Sequence, residues 1–373
     1  MRREIENMGA ASCRVEDGRV YFSGGPETGV RANLMLRTAE RVLLLAGEFQ
    51  AESFEELFEK TKAIPWEDYL PRDARFWVSK ANSVKSKLFS ASDIQAVMKK
   101  AMVERLKSAY HLTVFPETGE AFPLRVSLIR DRVTIGLDLS GDSLHKRGYR
   151  RLVSKAPISE TLAAALLDLT PWRADRVLVD PFCGSGTFAI EAAMKAAGIS
   201  PGLKRSFTAE RWPHLFAPEL WERERRALRE RIDLSVCPDI QAYDIDAGII
   251  KAARENARSA GVEDMIHFQT RDVKDLSHSK KYGFILTNPP YGERIEEKAA
   301  LPAIYRTLGE RFAALDSWSA YVITSYAGIE SAFGRKADKN RKIYNGMMKT
   351  YFYEFRGARP PRREYEAADI SQS

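Results

Sequence analysis

The chain has 373 residues, too many for one ordinary hydrophobic core, so two or three domains are expected. Hydrophobic residues make up 44% and charged residues 29%, which excludes a disordered chain, and no run of about 18 uncharged apolar residues offers a membrane span. Lys and Arg exceed Asp and Glu by 58 − 51 = 7, an excess that permits nucleic-acid binding without requiring it.

Met1-Arg2-Arg3-Glu4 leads into no apolar stretch, so no secretory signal is read. Cys13, Cys183 and Cys237 are spaced too widely for a metal-ligand set or a disulfide framework, and their number fits a reducing cytoplasm. Residues Arg19–Ser23 predict a short strand, Thr28–Arg41 a helix and Arg41–Ala46 an apolar strand, together a β-α-β fragment. A unit of this kind ordinarily has another strand and helix in front, so a shortened N-terminal region is expected. Ser53-Phe-Glu-Glu56 has capping-box spacing and predicts a helix to about Lys62, followed by breaks at Pro65 and Pro71. Arg75–Ser79 reads as a strand. Ser92-Asp-Ile-Gln95 is a second capping box, opening a helix to about Ala109 with Ile94, Val97, Met98, Ala101 and Met102 on one apolar face, where the methionines read as core. Leu124–Ile129 and Arg132–Leu139 predict two strands around a tight turn at Arg130-Asp131.

From about Thr161 strand and helix patterns alternate, the signature of a doubly wound parallel sheet. Strands are read at Arg176–Asp180, Asp239–Asp244, Met265–Gln269, Phe284–Thr287 and Ser319–Thr324, and helices at Thr187–Ala197, Ala247–Ala260 and Pro302–Leu315. The stretch Gly198–Pro238 is longer than such a crossover needs and reads as an insertion; its charge-dense part, Glu222–Arg231, reads as a solvated helix face. Lys342–Met348 and Thr350–Phe355 predict a closing hairpin with Asn345-Gly346 as its turn. Residues 356–373 read as a loose tail.

Asp180-Pro-Phe-Cys-Gly-Ser-Gly-Thr187 joins a strand to a helix. Gly184 and Gly186 let the backbone approach a ligand, and the helix start offers unpaired N–H groups. In an open α/β sheet such a turn lies at the ligand-binding edge. Asp180 suits a cationic amino group such as that of a methionine moiety, and Pro181, Phe182 and Thr187 flank it. The second strand ends in Asp244-Ile245-Asp246, where Asp244, and after it Asp246, are placed to accept ribose hydroxyls. Asp272 and Val273, after the third strand, suit an adenine amino group and ring. The glycine pattern is not the dinucleotide fingerprint, but Ala189 fits close helix–strand packing at its third position, so the glycines alone leave a nicotinamide enzyme open; Asp244 follows Gly186 by 58 residues against about 20 in such a unit.

Asn288-Pro289-Pro290-Tyr291 ends the fourth strand. The Asn288 side-chain carbonyl and the Pro289 backbone carbonyl suit the two N–H groups of an exocyclic amine on a base. The prolines stiffen the turn and Tyr291 offers a stacking face. In-line methyl transfer then rests on orientation and on stabilising charge that grows on nitrogen, and no strong general base is required.

These motifs resemble those of amino-methyltransferases with an N-P-P-Y signature, which act on DNA adenine, RNA guanine or protein glutamine. Leu144-His-Lys-Arg-Gly-Tyr-Arg150 resembles the segment joining a THUMP domain to a guanine-N2 methyltransferase. Thr287–Arg294 resembles that family's extended catalytic motif, and Ala197–Arg205 with Trp212-Pro213 its insertion. From about Val20 to Gly357 the chain is similar to the bacterial 23S rRNA guanine-N2 methyltransferases. That resemblance implies a Rossmann-like class I methyltransferase domain over 156–373, with a parallel sheet and an antiparallel terminal hairpin. It implies a partial ferredoxin-like region over 1–45 and a THUMP RNA-binding domain over 46–155. It further implies S-adenosyl-L-methionine as cofactor, RNA as partner, no membrane association, no metal and a cytoplasmic location. A tRNA guanine-N2 enzyme is the nearest rival, a DNA adenine-N6 enzyme a further one, and a protein glutamine methyltransferase or a non-catalytic RNA-binding factor the more distant ones. Lys80, Lys85 and Lys87, with His145, Lys146, Arg147, Tyr149, Arg150 and Arg151, are the expected RNA contacts.

Overall fold

The computed structural model describes residues 1–150, 158–292 and 295–361, with 295–298 as backbone alone. Arg151, Glu293, Arg294 and the tail from residue 362 therefore lie outside the described residues. The chain forms two compact units, Met1–Arg147 with Ile199–Ile232, and Gly148–Gly198 with Asp233–Ser373.

The first unit opens with α1 (Arg2–Asn7), β1 (Cys13–Glu16), β2 (Arg19–Phe22), α2 (Pro26–Met35) and β3 (Leu43–Gln50). No β-α-β fragment forms. β2 pairs with β1 in a separate antiparallel hairpin, while β3 joins a different sheet. The reason is local: Glu16 pairs with Arg19 around Asp17-Gly18, and Gly18 takes a φ of 74°, the left-handed conformation that favours glycine at the second turn position. α3 (Phe54–Lys62) is capped by the Ser53 hydroxyl, which accepts from the Glu56 N–H at 3.2 Å. Next come β4 (Arg75–Val84), α4 (Ala91–Ala109), β5 (Ala121–Ile129) and β6 (Arg132–Asp138). The cap of α4 is Ser90, two residues before the expected Ser92: its Oγ accepts from the Asp93 N–H at 3.4 Å, and Gln95 donates to the Val78 carbonyl at 2.8 Å instead of closing a box. Ile94, Met98, Ala101 and Met102 are buried as the helical spacing predicted. Strands order β3-β6-β5-β4, and Arg130 and Asp131 turn between β5 and β6 with φ of 52° and 62°.

The second unit begins with α5 (Glu160–Leu169), β7 (Leu178–Asp180) and α6 (Thr187–Ala196). The chain then returns to the first unit for α7 (Pro218–Arg229). This insertion shares the first unit's core. The Trp212 ring stacks on Phe122 at 4.6 Å and donates to the Ala121 carbonyl at 3.0 Å. Gly202 donates to the Leu34 carbonyl at 2.9 Å, so close that a Cβ there would lie 2.7 Å from the Leu34 backbone. The charge-dense helix α7 is only partly solvated. Trp221, Glu224 and Leu228 are buried, and Glu224 accepts a two-point bond from Arg31 at 2.7 and 3.0 Å, which holds its carboxyl below the usual range.

The second unit continues with β8 (Ile240–Asp244), α8 (Ala247–Ala260), β9 (Ile266–Thr270), β10 (Phe284–Thr287), α9 (Ile295–Ala313), β11 (Ser319–Thr324), α10 (Ile329–Ala332), β12 (Lys339–Asn345) and β13 (Met348–Phe355). Its seven strands order β12-β13-β11-β10-β7-β8-β9. β7 to β11 run parallel, and β13 is antiparallel to both β11 and β12. β8 and β10 flank β7 on opposite sides, so the switch point where open α/β sheets bind ligands falls at the ends of β7 and β10. α9 starts seven residues before Pro302, which lies inside the helix. Leu301, Tyr305, Leu308 and Phe312 are all buried in one cluster, and that packing outweighs the roughly 3 kcal/mol penalty of an interior proline. The closing hairpin turns one residue later than expected. Asn345 pairs with Met348 around Gly346-Met347, with Gly346 at φ 60°, the glycine position of a type II′ turn. Among the described residues no helix is long and apolar enough to cross a membrane, and no group of His, Cys, Asp and Glu is arranged to hold a metal ion.

Candidate active site

The fully buried strands β7 and β10 lie side by side and deliver two turns to one edge of the sheet. The turn after β7 is built from backbone. The Cys183 N–H donates to the Tyr243 carbonyl at 2.8 Å, the Gly186 N–H to the Cys183 carbonyl at 2.8 Å, and the Gly184 N–H to Asp244 Oδ2 at 3.1 Å. Gly184 and Gly186 have φ of 51° and 82°. At Gly186 a Cβ would also press on Ala253 at 3.2 Å. α6 starts there without a side-chain cap, leaving its first N–H groups for another acceptor.

Two residues of this motif serve the turn itself. Asp180 is 3% exposed, and its Oδ1 accepts from Thr287 Oγ1 at 2.6 Å and from the Phe182 N–H at 3.2 Å. Through Oδ1 it ties the ends of β7 and β10 together, and burial raises its carboxyl to about 7. Thr187 is likewise 3% exposed, with its hydroxyl held by Arg150 at 2.8 Å and by Ser185 at 3.2 Å. Pro181 is buried and Phe182 half-buried. Burial places the Cys183 thiol well above its ordinary range, so it stays protonated.

Asp244 is half-buried at the end of β8. Its two oxygens accept from the Gly184 and Asp246 N–H groups at 3.1 Å each, which leaves lone pairs for hydroxyl donors, and burial raises its pKa. Asp246, the second candidate, caps α8 by accepting from the Gly248 and Ile249 N–H groups at 2.7 and 3.2 Å, beside the exposed Ile245. Asp272 caps the short turn after β9 through the Lys274 N–H at 2.9 Å, next to the half-buried Val273.

The turn after β10 is held by side chains. The Tyr291 hydroxyl donates to Asn288 Oδ1. Burial pushes Tyr291 up to about 12, so it remains a donor and cannot serve as a base near neutral pH. Pro289 is buried and Pro290 exposed. The Tyr305 hydroxyl donates to the Pro290 carbonyl at 3.2 Å and meets Thr324 Oγ1 at 2.5 Å. Tyr305 and Thr324 support the site and were not singled out from the sequence, and Thr287, which opens the extended catalytic motif, was given no role of its own. A tyrosine on the buried stripe of α9 was their only signal there.

The expected RNA contacts divide. Lys80 and Lys85 are exposed and make no ion pair among the described residues. Lys87 is exposed and paired with Glu52, Lys146 is exposed and paired with Asp142, and the half-buried His145 meets Glu40 at 2.9 Å. Arg147, Tyr149 and Arg150 face inward, which corrects the expectation for them. Arg147 is 3% exposed and donates to the Leu144 and Arg37 carbonyls. The Tyr149 hydroxyl donates to Glu191 at 3.1 Å. Arg150 is spent on the Ile158 carbonyl, Thr187 and Glu160.

The sheet order with its reversed last strand, and the two turns at its switch point, define a Rossmann-like class I methyltransferase. Residues 147–354 match the family described as UPF0020, the RMKL-like methyltransferase domain, and the chain belongs to that family. Residues 1–43 match the RlmL ferredoxin-like domain and residues 51–138 the THUMP domain, an RNA-binding module. YpsC of Bacillus subtilis, named as a candidate RNA methyltransferase, is 45% identical over 98% of this chain and 95% of its own length. Ribosomal RNA large subunit methyltransferase K/L of Cellvibrio japonicus is 34% identical over 93% of this chain, and the chain spans 48% of that protein's length. Among solved structures, a candidate methylase from Clostridium difficile 630 superimposes with a TM-score of 0.93 at 49% identity, covering 96% of this chain and 95% of the other. SMU.472, a candidate methyltransferase solved with S-adenosylhomocysteine, superimposes with a TM-score of 0.89 at 43% identity over 96% and 95% of the two chains.

Proposed function

We propose that this methyltransferase moves the methyl group of S-adenosyl-L-methionine to the exocyclic N2 amino group of a guanosine in 23S ribosomal RNA. The observation that carries the reading is the Asn288–Tyr291 turn, whose side-chain carbonyl is fixed at the edge where the glycine turn after β7 also ends. The THUMP domain and the ribosomal RNA methyltransferases among the relatives support RNA as the substrate.

The residues present fit the cofactor. The glycine turn is open to close backbone approach, Asp244 keeps lone pairs for ribose hydroxyls, and Asp272 and Val273 suit an adenine edge and face. When bound, S-adenosylmethionine supplies an electrophilic methyl on a sulfonium. Asn288 Oδ1 and the Pro289 carbonyl accept the two N–H groups of the target amine and turn its lone pair toward the transfer line. An amide oxygen has two lone pairs, so Asn288 accepts the amine while Tyr291 still holds it in place. The same carbonyls stabilise positive charge as it grows on nitrogen. The Tyr291 ring stacks on a base extruded from its helix.

Labelled methyl transfer to total RNA and, in parallel, to genomic DNA from a strain lacking the gene, followed by nucleoside analysis, tests this. Label in N2-methylguanosine of large-subunit rRNA is expected. Label confined to tRNA would change the substrate and keep the chemistry. Label in N6-methyladenine of DNA and none in RNA would overturn the reading.

A further inference from the structure

The tip of the β12–β13 hairpin is unused by any step above, yet it stands beside the acceptor turn. Thr324, the last residue of β11, pairs with Tyr351, so residues 348–350 of β13 and the end of β12 run beyond the carboxyl ends of the parallel strands. That is the ligand-binding side of the sheet. The Asn345 side chain, at the tip, lies close enough to the Tyr291 phenol to oppose the upward shift that burial gives it. The hairpin tip thus borders the acceptor turn.

Its outer surface has an unusual composition. From Lys339 to Tyr353 there are four cations and no acid. Register places Lys342 opposite Tyr351 and Tyr344 opposite Lys349, so these four side chains share one face as a checkerboard. The Lys342 ammonium lies 5.2 Å from the Tyr344 ring and the Lys349 ammonium 5.4 Å from the Tyr351 ring. Tyr344 is 57% exposed and Met347, at the turn, 99%. Lysines on an edge strand guard against strand-to-strand aggregation. That role does not call for an exposed tyrosine between them, an exposed methionine at the tip, or a tip that borders the acceptor turn.

We propose that this hairpin tip grips the single-stranded RNA flanking the target base, with Tyr344 as the stacking platform for a neighbouring base and Lys342 and Lys349 on backbone phosphates. The inference rests on the RNA reading above. Alternating cations and flat aromatic faces are the surface that single strands require, because every base has a π-face and every linkage a negative charge. Extrusion of a base exposes its neighbours, and the hairpin stands where they emerge.

The test is steady-state methylation by the full chain of rRNA from the deletion strain, across a salt series, with cofactor affinity measured in parallel. Tyr344→Ala is expected to raise KM for RNA by about tenfold with kcat and cofactor Kd unchanged, and Tyr344→Phe to restore it. Lys342→Ala with Lys349→Ala should lower the slope of log affinity against log salt by about 1.4, the value for two lost phosphate contacts on a single strand. An active wild type whose variants keep its KM and salt slope would overturn the hairpin proposal and leave the RNA reading intact. So would a loss confined to kcat or cofactor affinity, which marks a structural wall. A wild type that binds cofactor and methylates no RNA would overturn both.

Discussion

The two turns at the switch point lie at the ends of neighbouring strands, yet they are held in different ways. After β7 the chain is fixed by backbone N–H groups of Cys183, Gly184 and Gly186, and by two glycines with positive φ. After β10 it is fixed by hydroxyls, with Tyr291 on Asn288, Tyr305 on Pro290 and Thr287 on Asp180. The backbone-held turn leans on the end of β8, through the Tyr243 carbonyl and the Asp244 carboxylate. The hydroxyl-held turn combines a near neighbour, Tyr291, with Tyr305 from α9, and each hydroxyl can be removed without disturbing the backbone. The division of labour follows: the first turn is suited to holding a constant ligand, the second to placing one oxygen against a reacting nitrogen.

The sharpest way to break that comparison is Asn288→Ala. Loss of a preorganised acceptor should lower the single-turnover methylation rate by about 10²–10³-fold while cofactor Kd, measured by calorimetry, stays within about threefold. Comparable losses in both would mean that the two turns are not separable.

Asp180→Asn comes next. Asparagine keeps the oxygen that accepts from Thr287 and Phe182, so cofactor Kd should change by less than about threefold. A loss of tenfold or more would return Asp180 to direct contact with the cofactor. Its effect on stability depends on pH. With its pKa raised from 3.8 to about 7, Asp180 binds more protons in the folded than in the unfolded state across that window, and stability falls as pH rises through it. The Asp180→Asn variant should therefore gain in Tm over the wild type at pH 8 and show little gain at pH 4.

The smallest expected effect is that of Tyr305→Phe. Loss of the bond to the Pro290 carbonyl should cost about 1 kcal/mol of stability and lower kcat a few-fold with cofactor Kd unchanged, checked by chemical denaturation and by kinetics. A kcat equal to the wild type's would show that the prolines and the Tyr291–Asn288 bond hold the acceptor turn without Tyr305.

Local chemistry explains which elements were legible. α8 was read with its bounds because Asp246 caps one end and Gly261, at φ 84°, closes the other. β10 and β11 were read as apolar runs that end at polar turns. Reading failed where a distant partner decides. Ser92 and Gln95 have capping-box spacing, but Gln95 answers to Val78 on β4 and the cap passes to Ser90. Pro302 reads as a helix start until the buried stripe around it carries the helix through. Arg147 and Arg150 read as RNA-facing cations until carbonyls and Glu160 claim them. Asp17-Gly18 was a local signal for the first hairpin, present in the sequence and passed over there.

The sequence by itself determined the alternating sheet, the glycine turn, the Asn-Pro-Pro-Tyr turn and the reversed closing hairpin, because each is specified by residues within a few positions of one another. Tertiary structure alone decided that residues 199–232 fold into the first unit's core, that Asp180 joins the ends of β7 and β10, and that Tyr305 steadies the acceptor turn. Those outcomes turn on which buried polar groups find partners across the fold, and a buried donor or acceptor left unpaired costs about 1–3 kcal/mol, more than local spacing preferences supply.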